Sequence, residues 1–171
     1  MTTSLALNTD VLIVGAGPSG LALANTLAQA GISFVVLEKL SEGQNTSRAA
    51  VLHAHTLEIL DEIGVADRLA AQGLRLGKFT IRDRDRSLVQ LRFDRLPSRH
   101  PYLLMLPQDR TEATLAEALE NAGSRVQRGW TVDAVEDLGD RVRVTAVSER
   151  EGCRTYFARY VVGADGMHSI V

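Results

Sequence analysis

The sequence lacks several features that mark whole classes of protein. Its single cysteine, Cys153, excludes an internal disulfide framework and is typical of a reducing compartment. No apolar run approaches the roughly 18 residues that a membrane span requires. The opening stretch MTTSLALNTD lacks the basic and apolar regions of a signal peptide. These absences predict a cytoplasmic protein that is not inserted in a membrane.

Strong charge of either sign is also absent. The 19 basic and 21 acidic residues give a formal net charge of −2, and the two signs are interleaved along the chain. This balance offers no electrostatic basis for binding nucleic acid or a membrane surface. With 45% hydrophobic and 23% charged residues, the 171-residue chain resembles an ordinary globular protein, either one domain or part of a larger one.

The first forty residues have the pattern of a strand, a helix and a second strand. Residues 10–14 (DVLIV) form a short apolar run of the kind that is buried on both faces of a parallel sheet. Residues 18–30 repeat apolar side chains at three- and four-residue spacing up to Gly31, which indicates a helix. Residues 33–37 (SFVVL) indicate another buried strand, so the three segments predict a parallel βαβ unit.

Beyond this unit, no linker divides the chain. We predict two short helices, a hairpin that turns through RDRDR, a short strand and an alanine-rich helix, at residues 55–63, 65–72, 76–93, 103–106 and 108–122. Further β-strands are predicted at residues 125–127, 130–137, 141–147 and 155–162. The pattern predicts one α/β domain, apparently unfinished, whose parallel sheet carries helices on its faces and continues into an antiparallel β-meander.

The loop GAGPSG (15–20) has the GxGxxG pattern, directly after a strand and at the start of a helix. Gly15 allows a tight turn, Gly17 lets the backbone approach a pyrophosphate, and Gly20 lets helix and strand pack closely. Free amide groups and the helix dipole then face a diphosphate, to which Ser19 can add a hydroxyl donor. The loop predicts a dinucleotide site, and its alternative interpretation is a glycine-rich turn without a ligand.

Glu38 ends the second strand, 23 residues after Gly15. A carboxylate at this position can accept hydrogen bonds from the ribose hydroxyls of an adenosine, and its charge repels a 2′-phosphate. Charge-assisted bonds of about 1.5–3 kcal/mol imply that removing Glu38 weakens binding roughly 10- to 100-fold. The sequence therefore disfavours NADP at this site, and the alternative interpretation of Glu38 is a surface glutamate.

Four stretches in order along the chain resemble the FAD-dependent aromatic hydroxylases, the single-component flavoprotein monooxygenases of the para-hydroxybenzoate hydroxylase type. They are residues 15–38, SRAAVLHAHTLEIL (47–60), LPQDRTEATLAEAL (106–119) and the Asp-Gly motif GADGMHS (163–169). The resemblance covers nearly the whole chain. It implies that residues 1–171 are the N-terminal portion of a Rossmann-like FAD-binding domain, with a hairpin insertion near 76–93.

The resemblance also implies three further contacts with FAD. Arg48 stands where the family places an arginine on the flavin's phosphate and ribityl part, and Gln108 stands where it places a glutamine on the flavin chain. Asp165, in the Asp-Gly motif, matches an aspartate that contacts FAD and is implicated in binding the nicotinamide cofactor. A solvated loop arginine and an ordinary first-turn glutamine are the alternatives for Arg48 and Gln108.

No metal site is predicted. His53 and His55 lie two residues apart at a loop-to-helix boundary, where such side chains do not face each other. Related sequences often have arginine in place of His55. No catalytic side chain is predicted either, because in this family the cofactor carries out the difficult step and the protein orients the reactants.

As a function, the resemblance implies hydroxylation of an aromatic or polyketide-type substrate with O₂. NAD(P)H reduces FAD by hydride transfer, and the reduced flavin forms a C4a-hydroperoxide whose distal oxygen passes to the electron-rich ring. The family's later Gly-Asp motif and its substrate-covering sheet do not occur in this sequence, so the C-terminal substrate part is expected to be absent. The chain alone is therefore expected to bind FAD weakly and to hydroxylate nothing.

Two other functions stay open at this point. A nicotinamide-dependent (NAD) Rossmann dehydrogenase uses the same glycine loop. A truncated nucleotide-binding module without catalytic activity would also carry these motifs. Flavin absorbance after purification, as opposed to retention of NADH alone, separates the first alternative from a flavoprotein. The activity of a longer chain separates the second.

Overall fold

A six-stranded sheet organises the first of two compact units into which the contacts divide the chain. One unit comprises Met1–Gln44 and Leu115–Val171, and the other comprises Asn45–Thr114. The computed structural model describes residues 7–42, 51–166, 169 and 171. In chain order, the elements are β1 (Leu7–Val14), α1 (Pro18–Gln29), β2 (Phe34–Glu38), β3 (Val51–Leu52), α2 (Ala54–Glu62), α3 (Ala66–Ala70), β4 (Leu74–Leu76), β5 (Lys78–Asp83), β6 (Arg86–Arg92), a 3₁₀ turn (Phe93–Arg95), β7 (Leu103–Met105), α4 (Gln108–Asn121), β8 (Gln127–Arg128), β9 (Thr131–Asp137), β10 (Val142–Ser148) and β11 (Gly152–Gly163).

The sheet of the first unit has the strand order β8-β2-β1-β11-β10-β9. Pairing is parallel from β8 through β2 and β1 to β11, and it is antiparallel from β11 through β10 to β9. The long strand β11 therefore joins a parallel half to an antiparallel meander. Both the predicted βαβ start and the predicted meander are confirmed, and the fold is the mixed α/β class expected from the sequence.

β1 is buried on both faces, which explains its unbroken apolar sequence. Successive side chains of a strand point to opposite faces, and Leu12 and Ile13 are both fully buried. One face packs into a core that contains Leu12, Val14, Leu37, Trp130, Val132, Val144, Ala146, Tyr156 and Ala158. Burying each large apolar side chain contributes about 2 kcal/mol, so this core holds the two halves of the sheet together.

Helix α1 is amphipathic, as the apolar spacing predicted. Its buried face consists of Gly20, Leu21, Ala24, Asn25 and Leu27. The buried amide of Asn25 donates from Nδ2 to the Leu21 carbonyl at 2.8 Å and to the Leu115 carbonyl at 3.0 Å. The second bond ties α1 to α4. The helix ends before Gly31, whose φ of +67° stops it as expected.

In the second unit, β7 lies between β3 and β4 in a small antiparallel sheet. Helices α2 and α3 lie within two residues of their predicted bounds. Their buried side chains are Leu57, Leu60, Ala66, Leu69 and Ala70. Gly64 ends the first of these helices with a φ of +75°. Within the described part of the chain, no helix combines the length and apolar character needed to cross a bilayer.

The hairpin of the second unit is formed by β5 and β6, which pair antiparallel and turn at Arg84. Arg84 has a positive φ of 49°. The hairpin predicted at 76–93 begins at Lys78, because Leu76 belongs to β4 and pairs with β7 instead. Every residue of its two strands is exposed.

β1 and β11 each begin three residues before their predicted starts, and the short strand β8 is displaced from its predicted position. The sequence favoured residues 125–127, whereas the strand comprises Gln127 and Arg128. Pairing begins only where Gln127 lies opposite Leu37 of β2. A strand defined by two residue pairs leaves no periodic signal in the sequence, so its position depends on a partner far along the chain.

Candidate functional site

Four parallel strands end together at one edge of the sheet in the first unit, here called the carboxyl edge. Val14 lies opposite both Leu37 and Gly163, and Glu38 lies opposite Arg128. The loops that follow β1, β2, β8 and β11 therefore leave the sheet side by side. Open α/β sheets bind their ligands at this edge, so the predicted glycine loop lies where a ligand site is expected.

Gly15 turns the chain sharply out of β1. Its φ of +103° favours glycine, and its amide donates to the Leu37 carbonyl at 2.8 Å. The Ala164 amide donates to the Val14 carbonyl at 2.7 Å, which brings the end of β11 against the loop. A Cβ on Gly15 would lie 2.4 Å from the Ala164 oxygen. The sequence predicted the turn but not this approach, because no local signal shows that β11 pairs with β1.

Gly20 and Gly17 meet opposite environments. A Cβ on Gly20 would lie 2.1 Å from the Gly15 carbonyl oxygen and 3.3 Å from the Ala164 Cβ. Close packing of helix and strand at Gly20 was predicted, and the structure has it. A Cβ on Gly17, in contrast, would meet no heavy atom of the described residues within 4 Å. The space beside Gly17 is therefore open, and a ligand can approach the backbone there.

The start of α1 offers hydrogen-bond donors to an anion. Gly17 is the N-cap, and the Leu21 amide donates to the Gly17 carbonyl at 3.0 Å. The amides of Ser19 and Gly20, which precede Leu21 in the first turn, have no carbonyl partner within the helix. Ser19 is exposed, and the first turn of α1 carries no acidic residue. With the positive end of the helix dipole added, these groups fit a diphosphate.

Glu38 is held in place by backbone amides on both sides. Its Oε2 accepts a hydrogen bond from the Ala16 amide at 2.8 Å, and its Oε1 accepts one from the Leu40 amide at 2.9 Å. Its carbonyl accepts a bond from the Trp130 amide at 3.0 Å. A carboxylate has about four lone-pair sites, so two remain for ribose hydroxyls. The link to Ala16 ties the acid to the glycine loop, and sequence reasoning did not predict it.

Asp165 follows β11 in the Asp-Gly turn at the same edge. The Ser169 hydroxyl donates to its Oδ1 at 2.5 Å, and Gly166 adopts a φ of +82°. A Cβ on Gly163 would lie 3.2 Å from the Ser169 Oγ, so this turn is also closely packed. The structure therefore brings Asp165 to the edge that carries the glycine loop and Glu38.

The other two predicted contacts, Gln108 and Arg48, do not belong to the described part of the first unit. Gln108 begins α4 in the second unit and is half-buried, and its Nε2 donates to the Glu112 carboxylate at 2.7 Å. Arg48 lies outside the described residues. Gly15, Gly17, Ser19, Gly20, Glu38 and Asp165 all belong to the first unit.

Sequence reasoning missed a polar cluster that supports the end of β2. The Tyr156 hydroxyl donates to the Gln127 Oε1 at 2.8 Å, and the Arg154 guanidinium lies 4.3 Å from the ring centroid of Trp130. Both contacts anchor residues 127–130, which include Arg128, the residue that pairs with Glu38. Gln127, Trp130 and Tyr156 lie in segments predicted only as β-strands, so no motif could have identified the cluster.

A second polar cluster lies around His100 in the other unit. This histidine lies between the predicted hairpin and the predicted strand at 103–106, and its side chain is 2% exposed. Its Nε2 lies 2.6 Å from the Asp61 Oδ2, and its Nδ1 lies 3.0 Å from the Tyr102 hydroxyl. Arg99 also bonds Asp61, at 3.0 Å. Both ring nitrogens of His100 therefore have a side-chain partner, which suits a structural role.

The chain matches a family of known proteins over nearly its full length. The family described as FAD binding domain matches residues 8–171. In sequence, the chain is 41% identical over 165 residues to the 12-dehydrotetracycline 5-monooxygenase/anhydrotetracycline 6-monooxygenase of Streptomyces rimosus, covering 95% of this chain and 31% of that protein. It is 34% identical over 164 residues to the pentachlorophenol 4-monooxygenase of Sphingobium chlorophenolicum, covering 94% and 30%.

Structural similarity agrees with the sequence matches. The anhydrotetracycline hydroxylase OxyS of Streptomyces rimosus superposes with a TM-score of 0.86 at 37% identity, over 95% of this chain and 33% of that one. The chain thus spans about a third of the length of the relatives it matches.

Proposed function

Because the chain belongs to the FAD binding domain family, we propose that its carboxyl edge binds the ADP half of FAD in a monooxygenase. The observation that carries the proposal is the convergence of the glycine loop, Glu38 and Asp165 at the ends of adjacent parallel strands. The edge offers free backbone amides beside the space at Gly17, which suit a diphosphate. One strand away it offers the Glu38 carboxylate, which suits a ribose.

In this proposal, each group of the edge contacts one part of the cofactor. The diphosphate lies on the glycine loop, where Gly17 leaves space and Ser19 adds a hydroxyl. Glu38 accepts bonds from the adenosine ribose through its remaining lone pairs. Asp165 contacts the cofactor from the Asp-Gly turn. Arg48 and Gln108 complete the proposed contacts, on the flavin's phosphate side and on its chain.

The substrate of the proposed enzyme is aromatic or polyketide-derived, and O₂ and NAD(P)H are co-substrates. This proposal is supported by the names of the relatives, which are monooxygenases of 12-dehydrotetracycline, anhydrotetracycline and pentachlorophenol. When bound, FAD would accept hydride from NAD(P)H and transfer oxygen through its C4a-hydroperoxide. The residues of this chain would bind and orient it, because no acid–base side chain is assigned to the reaction.

The proposed domain arrangement treats residues 1–171 as the N-terminal portion of the FAD-binding domain. The hairpin near 76–93 is proposed as an insertion that helps to form the wall of the substrate side, and the relatives would carry the rest of that side in their additional length. Those relatives are about three times as long as this chain. We therefore propose that the 171 residues alone bind FAD weakly and hydroxylate nothing.

The proposal is tested by measuring FAD and NADH binding to the purified chain. Quenching of flavin fluorescence on titration gives the FAD affinity, and calorimetry gives the NADH affinity. We expect FAD to bind more tightly than NADH, and we expect no NADH-dependent hydroxylation by this chain. NADH binding without FAD binding would instead favour a nicotinamide-dependent dehydrogenase. Hydroxylation by the 171 residues would contradict the proposed domain arrangement.

A further inference from the structure

Tyr156 is a buried polar residue that the proposed cofactor contacts do not use. Its side chain is 0% exposed in the core of the sheet, and its hydroxyl donates to the Gln127 Oε1 at 2.8 Å. Burial raises the pKa of Tyr156, so the hydroxyl stays protonated and remains a donor at neutral pH. A phenylalanine would fill nearly the same volume. The hydroxyl therefore provides something other than packing, and its partner Gln127 shows what that is.

Gln127 begins a short stretch, here called the Gln127–Trp130 segment, that lies along the end of β2. Within it, Arg128 lies opposite Glu38 in the parallel register. The Trp130 amide donates to the Glu38 carbonyl at 3.0 Å. The segment therefore contacts the backbone of Glu38, while the Ala16 amide donates to the carboxylate of Glu38.

Two side chains of β11 fix this segment to the sheet. Tyr156 holds its first residue through Gln127. Arg154 covers its last residue, Trp130, at 4.3 Å from the ring centroid, and is itself paired with Glu151 at 2.7 Å. Only two residue pairs join β8 to β2. So few backbone contacts leave the segment dependent on the side chains that anchor it.

We propose that Tyr156 is a positioning residue for Glu38, acting through the Gln127–Trp130 segment. The inference rests on the proposed function, in which the Glu38 carboxylate receives the ribose hydroxyls. The backbone of Glu38 is set by the segment, and its two carboxylate oxygens are already oriented by the amides of Ala16 and Leu40. A shift of the segment changes the direction of the lone pairs that remain for the ribose. Preference for a ribose 2′-hydroxyl is therefore the property that depends on Tyr156.

The test compares the affinities of ADP and 2′-deoxy-ADP for the full chain by calorimetry. The unchanged chain should bind ADP about tenfold more tightly, and Glu38→Gln should lose most of this preference. Tyr156→Phe removes only the hydroxyl and should lower the preference to about threefold. Val144→Ala is the matched control, because Val144 is buried and lies directly opposite Tyr156 on β10. It should lower the unfolding temperature but keep the tenfold preference.

A second variant approaches the same hydrogen bond from its accessible side. Gln127→Leu removes the acceptor at a half-buried position, so the chain remains testable if Tyr156→Phe does not fold. It should also lower the preference to about threefold. An intact tenfold preference in either folded variant would overturn the inference but would leave the assignment of the ribose to Glu38 standing. An equal loss of preference in Val144→Ala would also overturn the inference. Equal binding of both nucleotides by the unchanged chain would overturn the ribose assignment itself, and the inference with it.

Discussion

The carboxyl edge of the large sheet and the β5–β6 hairpin use side chains in opposite ways. At the edge, the close packing of backbone segments depends on the absence of side chains, since a Cβ on Gly15 or Gly20 would lie within 2.4 Å of a backbone oxygen. In the hairpin, every residue of both strands is exposed. These include the cross-strand pair of Phe79 and Leu91, which are 45% and 43% exposed.

This difference indicates where each region can tolerate change. Backbone segments in direct contact cannot move apart to admit a methyl group without disturbing the strands that carry them. An exposed cross-strand pair contributes only about 0.2–1 kcal/mol and can be replaced with little effect on the rest of the fold. We expect substitutions at the edge to lower both stability and nucleotide affinity, and we expect substitutions in the hairpin to change neither appreciably.

The largest predicted effect is that of Gly20→Ala. Its Cβ would lie 2.1 Å from the Gly15 carbonyl oxygen, so the loop or the helix must shift. We expect the free energy of unfolding to fall by about 3 kcal/mol, as in overpacked cores, with nucleotide binding lost as well. Urea unfolding measures the change. Unaltered stability in this variant would mean that the close packing at the edge is not needed.

The next effect concerns binding and is predicted for Glu38→Gln. The amide keeps one acceptor but cannot serve both the Ala16 amide and the ribose, so FAD should bind about tenfold more weakly. Titration of flavin fluorescence measures the affinity. Glu136→Gln, which makes the same charge change at an exposed ion pair with Arg143, is the matched control and should bind FAD as the unchanged chain does. An equal loss in both variants would reduce the role of Glu38 to net charge.

The smallest effect is predicted in the hairpin, for Phe79→Ser. Because Phe79 is 45% exposed, we expect its replacement to change the free energy of unfolding by about 0.5 kcal/mol or less. FAD affinity should not change. The same urea and flavin titrations apply here. A loss of stability close to that of Gly20→Ala would remove the contrast between the two regions.

The sequence was sufficient for the parts of the fold that have local causes. The βαβ start could be predicted because DVLIV and SFVVL are apolar runs of strand length, and GAGPSG separates the first run from a helical period. The hairpin and the helices were likewise predicted to within two residues at most boundaries. In the same loop, Gly15 was assigned the tight turn, Gly17 the approach to a pyrophosphate and Gly20 the close packing, since each role follows from the missing side chain.

The remaining features depend on pairings between distant residues. Ala164 reaches Gly15 only because β11 pairs with β1, about 150 residues away in sequence. Likewise, β8 is located by two residue pairs with β2, so the support that Gln127 and Trp130 give to Glu38 could not be predicted. Polar residues such as Tyr156 have no motif of their own, and their partners become clear only once the sheet is assembled.

FAD titration of the unchanged chain and of Gly17→Ala tests the central claim most directly. A Cβ on Gly17 would meet none of the described residues within 4 Å, and the small loss of helix capping is offset by the reduced entropy of the unfolded chain. The free energy of unfolding should therefore stay within about 0.5 kcal/mol of the unchanged value. The methyl group would occupy the space proposed for the diphosphate, so we predict that FAD binds at least about tenfold more weakly. Equal FAD affinity in the two proteins would contradict a diphosphate site on this loop.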